Sequence, residues 1–382
     1  MANWGTATIE FLSLVYYEII VALVSGAFSE MKPKRKVGYL FFALMPLAIM
    51  TMFRADSVGN DTLEYVRLFD SAKNLSLGKI IDSTRYEKGY LLLNYLLSKI
   101  SENSRIILVT IGAFSYCSLA RWLNKWSKAP GMMVCLLVEM LYVDNWMSVM
   151  RQTISLFVLL FAFDYLVEHK FWRFLIITLL AAQFHNAAYI FLVTWPILYW
   201  FTPKNLEQLY SKIQEKRFLK FVIMGALIVL LCFRPILNFL VQLFPVYSYY
   251  VSGVYMDGNS RLAVILKVIV YGLMICVPLM LGAKSGKSDN ATIGRIAIHR
   301  FALINIILWI LANKATIIVR LTDAFAFLAL SDYAECVNDI NYSKNRECLI
   351  VLSVIAFAAY GLLITLLKTP EWQTTYPFKW CF

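Results

Sequence analysis

Long, continuous apolar runs alternate along the chain with short polar stretches. Each of the longest runs holds about 20 residues, which is enough for a helix to cross the hydrocarbon core of a bilayer. The runs are unbroken rather than alternating apolar and polar, so they indicate membrane helices and not the strands of a β-barrel. The pattern therefore predicts an all-α polytopic membrane protein. The clearest runs are 37–53, 131–149, 152–167, 218–244, 262–282 and 347–367.

Apolar length together with loop charge predicts about twelve spans. Lysine and arginine concentrate in every second turn, for example in SEMKPKRK at 29–36 and in RWLNKWSK at 121–128. The positive-inside rule assigns these turns to the cytoplasm and both termini to the outer side. The predicted spans are roughly 7–28, 37–54, 89–120 (long or broken), 131–149, 151–168, 171–184, 186–201, 218–241, 262–282, 299–313, 316–334 and 347–367.

The polar stretches between the spans predict one transmembrane domain over residues 1–382, with two substantial outer loops at about 55–88 and 243–261. The first loop has helix-like patterning, and the second is rich in tyrosine. The span pairs within 171–201 and 299–334 are short for a round trip through the membrane, which favours re-entrant or untilted segments. The sequence shows no internal repeat and no separate soluble domain.

Composition supports a membrane protein and argues against binding of nucleic acid, metal or cofactor. The chain is 60% hydrophobic and 16% charged, whereas soluble domains carry about 25% charged residues. The net charge of +12 would favour nucleic acid as a partner of a soluble protein, but here the basic residues lie in loops where orientation signals belong. None of the 7 cysteines forms a CxxC pair, and the 3 histidines fall on different sides, so neither a metal site nor a cofactor is indicated.

Polar residues from separate segments fall on the outer side of this topology. Charged groups within a membrane are expensive and usually face a cavity or a partner. Arginine is suited to forked contacts with phosphate, so the set predicts an outward cavity for a phosphate or pyrophosphate whose lipid tail lies in the membrane. For any single arginine, snorkelling to the headgroups is the ordinary alternative. The residues are Arg54, Arg151, His185, Arg234, Arg261 and Arg320.

Three acidic residues in or near the first loop have the chemistry to bind a sugar or to act as a base. They are Asp61, Glu64 and Glu87. Structural alternatives stay open for each: Asp61 caps the helix that follows it, and the two glutamates pair with nearby basic residues. His185 has three readings, as a base, as a donor to phosphate, or as a satisfied polar residue at a helix break.

Five segments resemble the Wzy/EpsG-type polysaccharide polymerases. FRADSVGNDTLEYVRLFD and YEKGYLLLNYLL resemble the family's first loop, and MRQTISLFVLLFAFDYL resembles its arginine-led helix. QFHNAAYIFL resembles its FH turnaround, and IIVRLTDAF its late arginine helix. The segments keep the family's order over about residues 50–335. Asn60 departs from the small or hydroxyl residue that the family commonly has there.

The resemblance implies an inner-membrane glycosyltransferase, similar to the membrane-embedded enzymes of the C type, with an active site that faces outward. Such an enzyme joins undecaprenyl-pyrophosphate-linked oligosaccharide repeat units, which serve as donor and acceptor, into O antigen of lipopolysaccharide or exopolysaccharide. It uses no nucleotide sugar and no metal. Its motifs carry over onto Arg54, Asp61, Glu87, Arg151, His185 and Arg320, whereas Arg234 and Arg261 follow from topology only.

The mechanism implied by this resemblance gives each group a role. The arginines hold the pyrophosphate, and Asp61, Glu87 or His185 orients or deprotonates the acceptor hydroxyl. Glu64, Tyr249 and Tyr250 contact the sugars, with headgroup anchoring as the equal alternative for the tyrosines. The rival functions are a flippase or transporter of the lipid-linked oligosaccharide and an O-antigen ligase or membrane acyltransferase. The need for a chain-length regulator stays open.

Overall fold

A computed structural model describes residues 4–83, 86–200, 212–243, 262–283, 293–314, 318–368 and 375–382. These residues form helices and turns, and the β-structure among them is limited to two isolated bridges. The α-helices are α1 (Trp4–Ser25), α2 (Pro33–Phe53), α3 (Thr62–Asn74), α4 (Leu77–Ser83), α5 (Lys88–Ser98), α6 (Arg105–Trp126), α7 (Pro130–Glu139), α8 (Tyr142–Ser148), α9 (Met150–Val167), α10 (Phe171–Ala182), α11 (Thr194–Trp200), α12 (Lys212–Leu231), α13 (Phe233–Leu243), α14 (Leu262–Met280), α15 (Ile293–Ala312), α16 (Val319–Asn338) and α17 (Ser343–Lys368).

Seven of the described helices are long and apolar enough to cross a membrane. This confirms a polytopic α-helical membrane protein. The count of about twelve spans and the two periplasmic loops stay predictions, and residues 244–261 of the second loop lie outside the described ranges. The seven helices are α1, α2, α6, α9, α14, α15 and α17.

Several predicted single spans are broken in the structure. The stretch 89–120 divides into α5 and α6, as the sequence allowed. The stretch 131–149 divides into α7 and α8 at Leu141, whose φ of 61° is left-handed. Hydropathy did not reveal this break because the residues on both sides are apolar. Backbone freed at such a break is tolerated at membrane depth where protein covers it, and every residue of α7 is buried.

The first predicted loop is largely helical, which confirms its helix-like patterning. Its helix α3 buries Tyr65, Leu68 and Phe69 against a cluster that includes Tyr90 and Ile107 of the following helices. The loop is therefore a packed part of the fold, held by apolar contacts to α5 and α6.

The chain forms two compact units. The first unit comprises Met1–Tyr189 and Asn341–Phe382, and the second comprises Ile190–Ile340. In the first unit α1, α7 and α17 pack together, α2 packs on α6, and α9 packs on both α6 and α10. The prediction of a single transmembrane domain over 1–382 stays a prediction.

The C-terminal segment returns to the end of α2 within the first unit. The Ala55 amide donates to the Lys379 carbonyl at 2.8 Å, and the Cys381 amide donates to the Phe53 carbonyl at 3.0 Å. The Phe378 amide also donates to the Glu10 carboxylate at 2.6 Å. The first turns of α1, the end of α2 and the C-terminus therefore share one end of this unit, as expected if both termini lie on the side of the first loop.

The second unit is organised around the pairing of α15 with α16, on which α14 packs. Aromatic side chains fill its interior: Phe191 lies 6.4 Å from Phe301 and 6.1 Å from Phe325 between ring centroids. Tyr271 of α14 stacks on Trp309 of α15 at 6.2 Å.

Candidate functional site

An ion pair between Glu87 and Arg151 lies at the centre of the first unit's polar residues. Arg151 Nη1 donates to Glu87 Oε2, and the amide of Asn186 donates to the other carboxylate oxygen at 3.2 Å. The side chains are 10% exposed at Glu87 and 17% exposed at Arg151. Three predicted motifs, YEKGY, MRQ and FHN, therefore meet at one place. The guanidinium also lies over the Tyr86 ring, 4.5 Å from its centroid.

Gly89 allows two of these motifs to approach closely. A Cβ at this position would lie 2.6 Å from Gln183 Cβ and 2.8 Å from the Gln183 carbonyl oxygen. The Tyr90 amide donates to the same carbonyl at 3.2 Å. The glycine of YEKGY is therefore needed for its lack of a side chain, and it places Glu87 beside the turn that carries His185.

Tyr65 of α3 extends the polar group around Arg151. Its hydroxyl interacts with the Arg151 guanidinium, and its ring packs edge-on against Tyr90 at 5.5 Å. Burial raises the pKa of Tyr65 to about 12. The phenol therefore stays neutral near pH 7 and can orient a ligand through hydrogen bonds, but it does not supply a phenolate base.

His185 is buried at the turn after α10, and its ring nitrogens are distinguishable. The Ala187 amide donates to His185 Nδ1 at 3.1 Å. Because an amide N–H only donates, Nδ1 is the unprotonated nitrogen, and the proton of the neutral imidazole is on Nε2. Nε2 therefore acts as a hydrogen-bond donor. In this tautomer it is poorly suited to take a proton from a substrate.

Arg54 is fully buried at the end of α2, with 0% of its surface exposed. Its Nε donates to the Val58 carbonyl at 3.2 Å, and Nη2 donates to the Met147 carbonyl at 2.9 Å. Nη1 donates to the Thr51 carbonyl. The guanidinium is therefore engaged with backbone oxygens and fixes the 54–62 turn against the junction of α8 and α9, next to Arg151.

Gly59 in the same turn has a φ of +88°, which favours glycine. A Cβ there would lie 2.7 Å from the Met147 carbonyl oxygen. The Asn60 amide donates to Ser148 Oγ at 3.3 Å. The VGND segment is thus shaped by its contact with the residues that precede Arg151, and Asn60 keeps this contact although it departs from the common family residue.

These motif residues are covered by one family match. The model of the EpsG family matches residues 37–380. The chain belongs to the EpsG family. Neither a curated protein nor a solved structure matches it. Membership makes the chain a multi-pass membrane enzyme of the polysaccharide polymerase type.

The acidic residues of this EpsG family member have different surroundings. Asp61 is the N-cap residue of α3 but makes no side-chain capping hydrogen bond, so the capping alternative is wrong. Its carboxylate is exposed and has no ion pair within the described ranges. Glu64 is exposed and pairs with Arg67 at 2.7 Å, which confirms the alternative that this glutamate pairs with a nearby basic residue. Asp56, which sequence analysis left without a role, pairs with Arg105 at 3.1 Å.

The remaining predicted site residues do not belong to the first unit. Arg320 is the second residue of α16 and is exposed, and Arg234 is exposed on α13. Arg261, Tyr249 and Tyr250 lie outside the described residues. The structure thus joins Glu87 to Arg151 and to the FHN turn that carries His185, and Arg54 contacts Met150 directly before Arg151. The convergence of all six outer-side residues stays a prediction.

Sequence reasoning missed the two tyrosines that contact Arg151. Tyr65 lies four residues after Asp61, which places both on one face of a helix. Tyr86 directly precedes Glu87. Both signals were present inside the quoted motifs, but they become informative only when the motif that carries Arg151 is placed beside them.

Proposed function

We propose that this EpsG family member is a polymerase of lipid-linked oligosaccharides in the bacterial inner membrane, acting on the periplasmic or outer side. Donor and acceptor are both undecaprenyl-pyrophosphate-linked repeat units, and the product is O antigen or exopolysaccharide. The observation that carries the proposal is the shielded Glu87–Arg151 pair beside His185, because it joins the family's motifs from distant parts of the chain into one polar group.

The proposed step is a glycosyl transfer with undecaprenyl pyrophosphate as the leaving group. A sugar hydroxyl of the acceptor attacks the anomeric carbon of the donor's growing chain. The new glycosidic bond forms as the bond between that carbon and the phosphate oxygen breaks. Arg151 stabilises the charge that develops on the departing pyrophosphate, a type of interaction that strengthens in a site shielded from water. Tyr86 and Tyr65 hold the guanidinium in place.

The attacking hydroxyl of the acceptor sugar loses a proton, and the two carboxylates differ in how well they can accept it. Both oxygens of Glu87 already accept hydrogen bonds, which suits an orienting role. Asp61 is exposed and without an ion pair in the described part of the chain, so we assign it as the proton acceptor. His185 donates from Nε2 to a sugar or phosphate oxygen.

The other predicted residues keep roles at longer range. Arg54 supports the site from behind, since its donors contact backbone carbonyls. Arg234, Arg261 and Arg320 keep their proposed role as pyrophosphate-binding residues. Glu64, Tyr249 and Tyr250 contact the sugars. No nucleotide sugar, cofactor or nucleic acid takes part in the proposed reaction.

Purified full-length protein in nanodiscs tests this function. One chemically defined lipid-pyrophosphate-linked repeat unit is added without nucleotide sugar, and the products are separated by size. A ladder of multiples of the repeat, with release of free undecaprenyl pyrophosphate, supports the proposal. Folded protein that yields only the single unit contradicts it.

The same substrate separates the rival functions. In proteoliposomes, a flippase would move the lipid-linked unit across the bilayer without forming a new glycosidic bond. A ligase would leave the unit unchanged until lipid A core was supplied. Either result would replace the polymerase assignment.

A further inference from the structure

A second group of polar side chains lies between α15 and α16, in the second unit. His299 Nδ1 is 2.8 Å from Asp332 Oδ2, and Cys336 Sγ is 3.8 Å from Asp332 Oδ1. The donor atoms of these three residues all lie within 4.8 Å of one another. Asp332 and Cys336 are four residues apart on α16, which places them on one helix face opposite His299.

The group is shielded from solvent and lies among several charged side chains. Asp332 is 1% exposed and Cys336 is 3% exposed. The Arg295 guanidinium lies 3.7 Å from Asp332 and 3.4 Å from Asp339, and Glu335 is a further acid in its field. Among the described residues, Arg295 thus faces three carboxylates. A buried carboxylate is stabilised by a nearby cation, so the surroundings of Asp332 are compatible with a bound metal ion.

We propose that His299, Asp332 and Cys336 bind a Zn²⁺ ion. Imidazole, carboxylate and thiolate together suit zinc rather than magnesium or calcium, which prefer oxygen alone. Ligand atoms of a tetrahedral zinc site lie about 3.3–3.6 Å apart, given bond lengths of roughly 2.0–2.3 Å. The His299–Asp332 separation of 2.8 Å is shorter than this range, and the three donor atoms lie within 4.8 Å of one another, so side-chain movements of about an ångström complete the site.

Binding moves two protons. The Cys336 thiol becomes a thiolate as the zinc–sulfur bond forms, and its proton passes to solvent. The proton of the hydrogen bond between His299 Nδ1 and Asp332 Oδ2 passes to solvent or to Nε2, which leaves both atoms able to bind the ion. A water molecule or Glu335 supplies the fourth ligand. Arg295 remains on Asp339 and orients the group from outside. The ion joins α15 to α16 and acts as a structural clamp, separate from the Glu87–Arg151 site.

Cobalt serves as the spectroscopic probe of this site. The full chain is purified in detergent, stripped with a chelator and titrated with Co²⁺. We expect one equivalent to produce a thiolate-to-cobalt charge-transfer band in the near ultraviolet and visible d–d bands of a tetrahedral ion, all lost on addition of Zn²⁺. Cys336→Ser removes the charge-transfer band. His299→Gln weakens binding on the order of tenfold or more.

Cys117→Ser is the matched control, because Cys117 is an exposed thiol in the other unit. This variant keeps the full cobalt spectrum. A wild-type protein that is folded and gives no charge-transfer band overturns the proposal, as does a band that persists in Cys336→Ser. If Cys336→Ser does not fold, the d–d bands of His299→Gln are measured instead. Cobalt binding by this variant at wild-type affinity would overturn the proposal. None of these readouts depends on polymer formation, so the zinc site and the proposed function fail or stand separately.

Discussion

Two arginines of the first unit, Arg54 and Arg151, show how differently one residue type is used. Arg54 donates to backbone carbonyls and is fully buried. Arg151 donates to a carboxylate and lies over an aromatic ring, with part of its surface exposed. Both were predicted as ligands of pyrophosphate. The contacts favour Arg151 for that role and give Arg54 a positioning role.

Replacement of Arg54 is expected to lower stability. Arg54→Met removes the hydrogen bonds from the guanidinium to the carbonyls of Thr51, Val58 and Met147. Each hydrogen bond to a charged group contributes about 1.5–3 kcal/mol. We expect the melting temperature in detergent to fall by roughly 5–10 °C. Arg67→Ala, which removes an exposed pair, is the control and leaves the melting temperature unchanged. Loss of activity in Arg54→Met with an unchanged melting temperature would instead favour direct contact with substrate.

The tautomer of His185 makes a second prediction at this scale. The amide nitrogen of glutamine reaches the position of Nε2, whereas the asparagine side chain reaches only the position of Nδ1. We therefore expect His185→Gln to keep a measurable fraction of the polymerisation rate and His185→Asn to lose about 10–100-fold more. Equal loss of activity in both variants, with the fold intact, would indicate that His185 transfers a proton.

At the scale of elements, close backbone approaches decide where the motifs meet. Gly89 brings the start of α5 against Gln183, and Gly59 brings the VGND turn against Met147. At both positions a side chain would collide with the neighbouring backbone, so the two motifs need glycine there.

Gly89→Ala is expected to separate Glu87 from the FHN turn. The added methyl group would overlap Gln183 atoms at under 3 Å, which costs roughly 1–3 kcal/mol and displaces Glu87. We expect at least about a tenfold loss of polymerisation rate and a lower melting temperature. Gly78→Ala is the matched control, because nothing lies within 4 Å of a Cβ there. If both variants behaved like wild type, the close approach would be irrelevant to activity.

At the scale of the whole molecule, the sequence predicts a polytopic α-helical membrane protein and its family. The lengths of the apolar runs and the order of the motifs can be read without knowing the tertiary structure. It predicts that Glu87, Arg151 and His185 belong to one site. It does not predict the burial of Arg54, because an arginine at a helix end looks the same whether it faces carbonyls or a ligand. It also does not predict the proposed zinc site of His299, Asp332 and Cys336. That site contains one histidine, whereas the sequence pattern for a metal site was several histidines on one side of the membrane.

Topology supplies the prediction that belongs to the whole molecule. Ser71 and Lys34 are exposed residues on α3 and at the start of α2, and the positive-inside rule assigns them to opposite sides. On a background without native cysteines, Ser71→Cys is expected to react with an impermeant maleimide in intact spheroplasts. Lys34→Cys is expected to react only after permeabilisation. The reverse pattern would place the proposed site in the cytoplasm.

The rate of polymer formation by Arg151→Ala is the most direct measurement of the central claim. Purified wild type, Arg151→Ala and the control Arg67→Ala are compared on one lipid-pyrophosphate-linked repeat unit, at equal concentrations of folded protein. We predict that Arg67→Ala matches wild type and that Arg151→Ala is slower by about 10²–10³-fold, as for the loss of one donor that stabilises a developing negative charge. A ladder formed by folded Arg151→Ala at the wild-type rate would contradict the account.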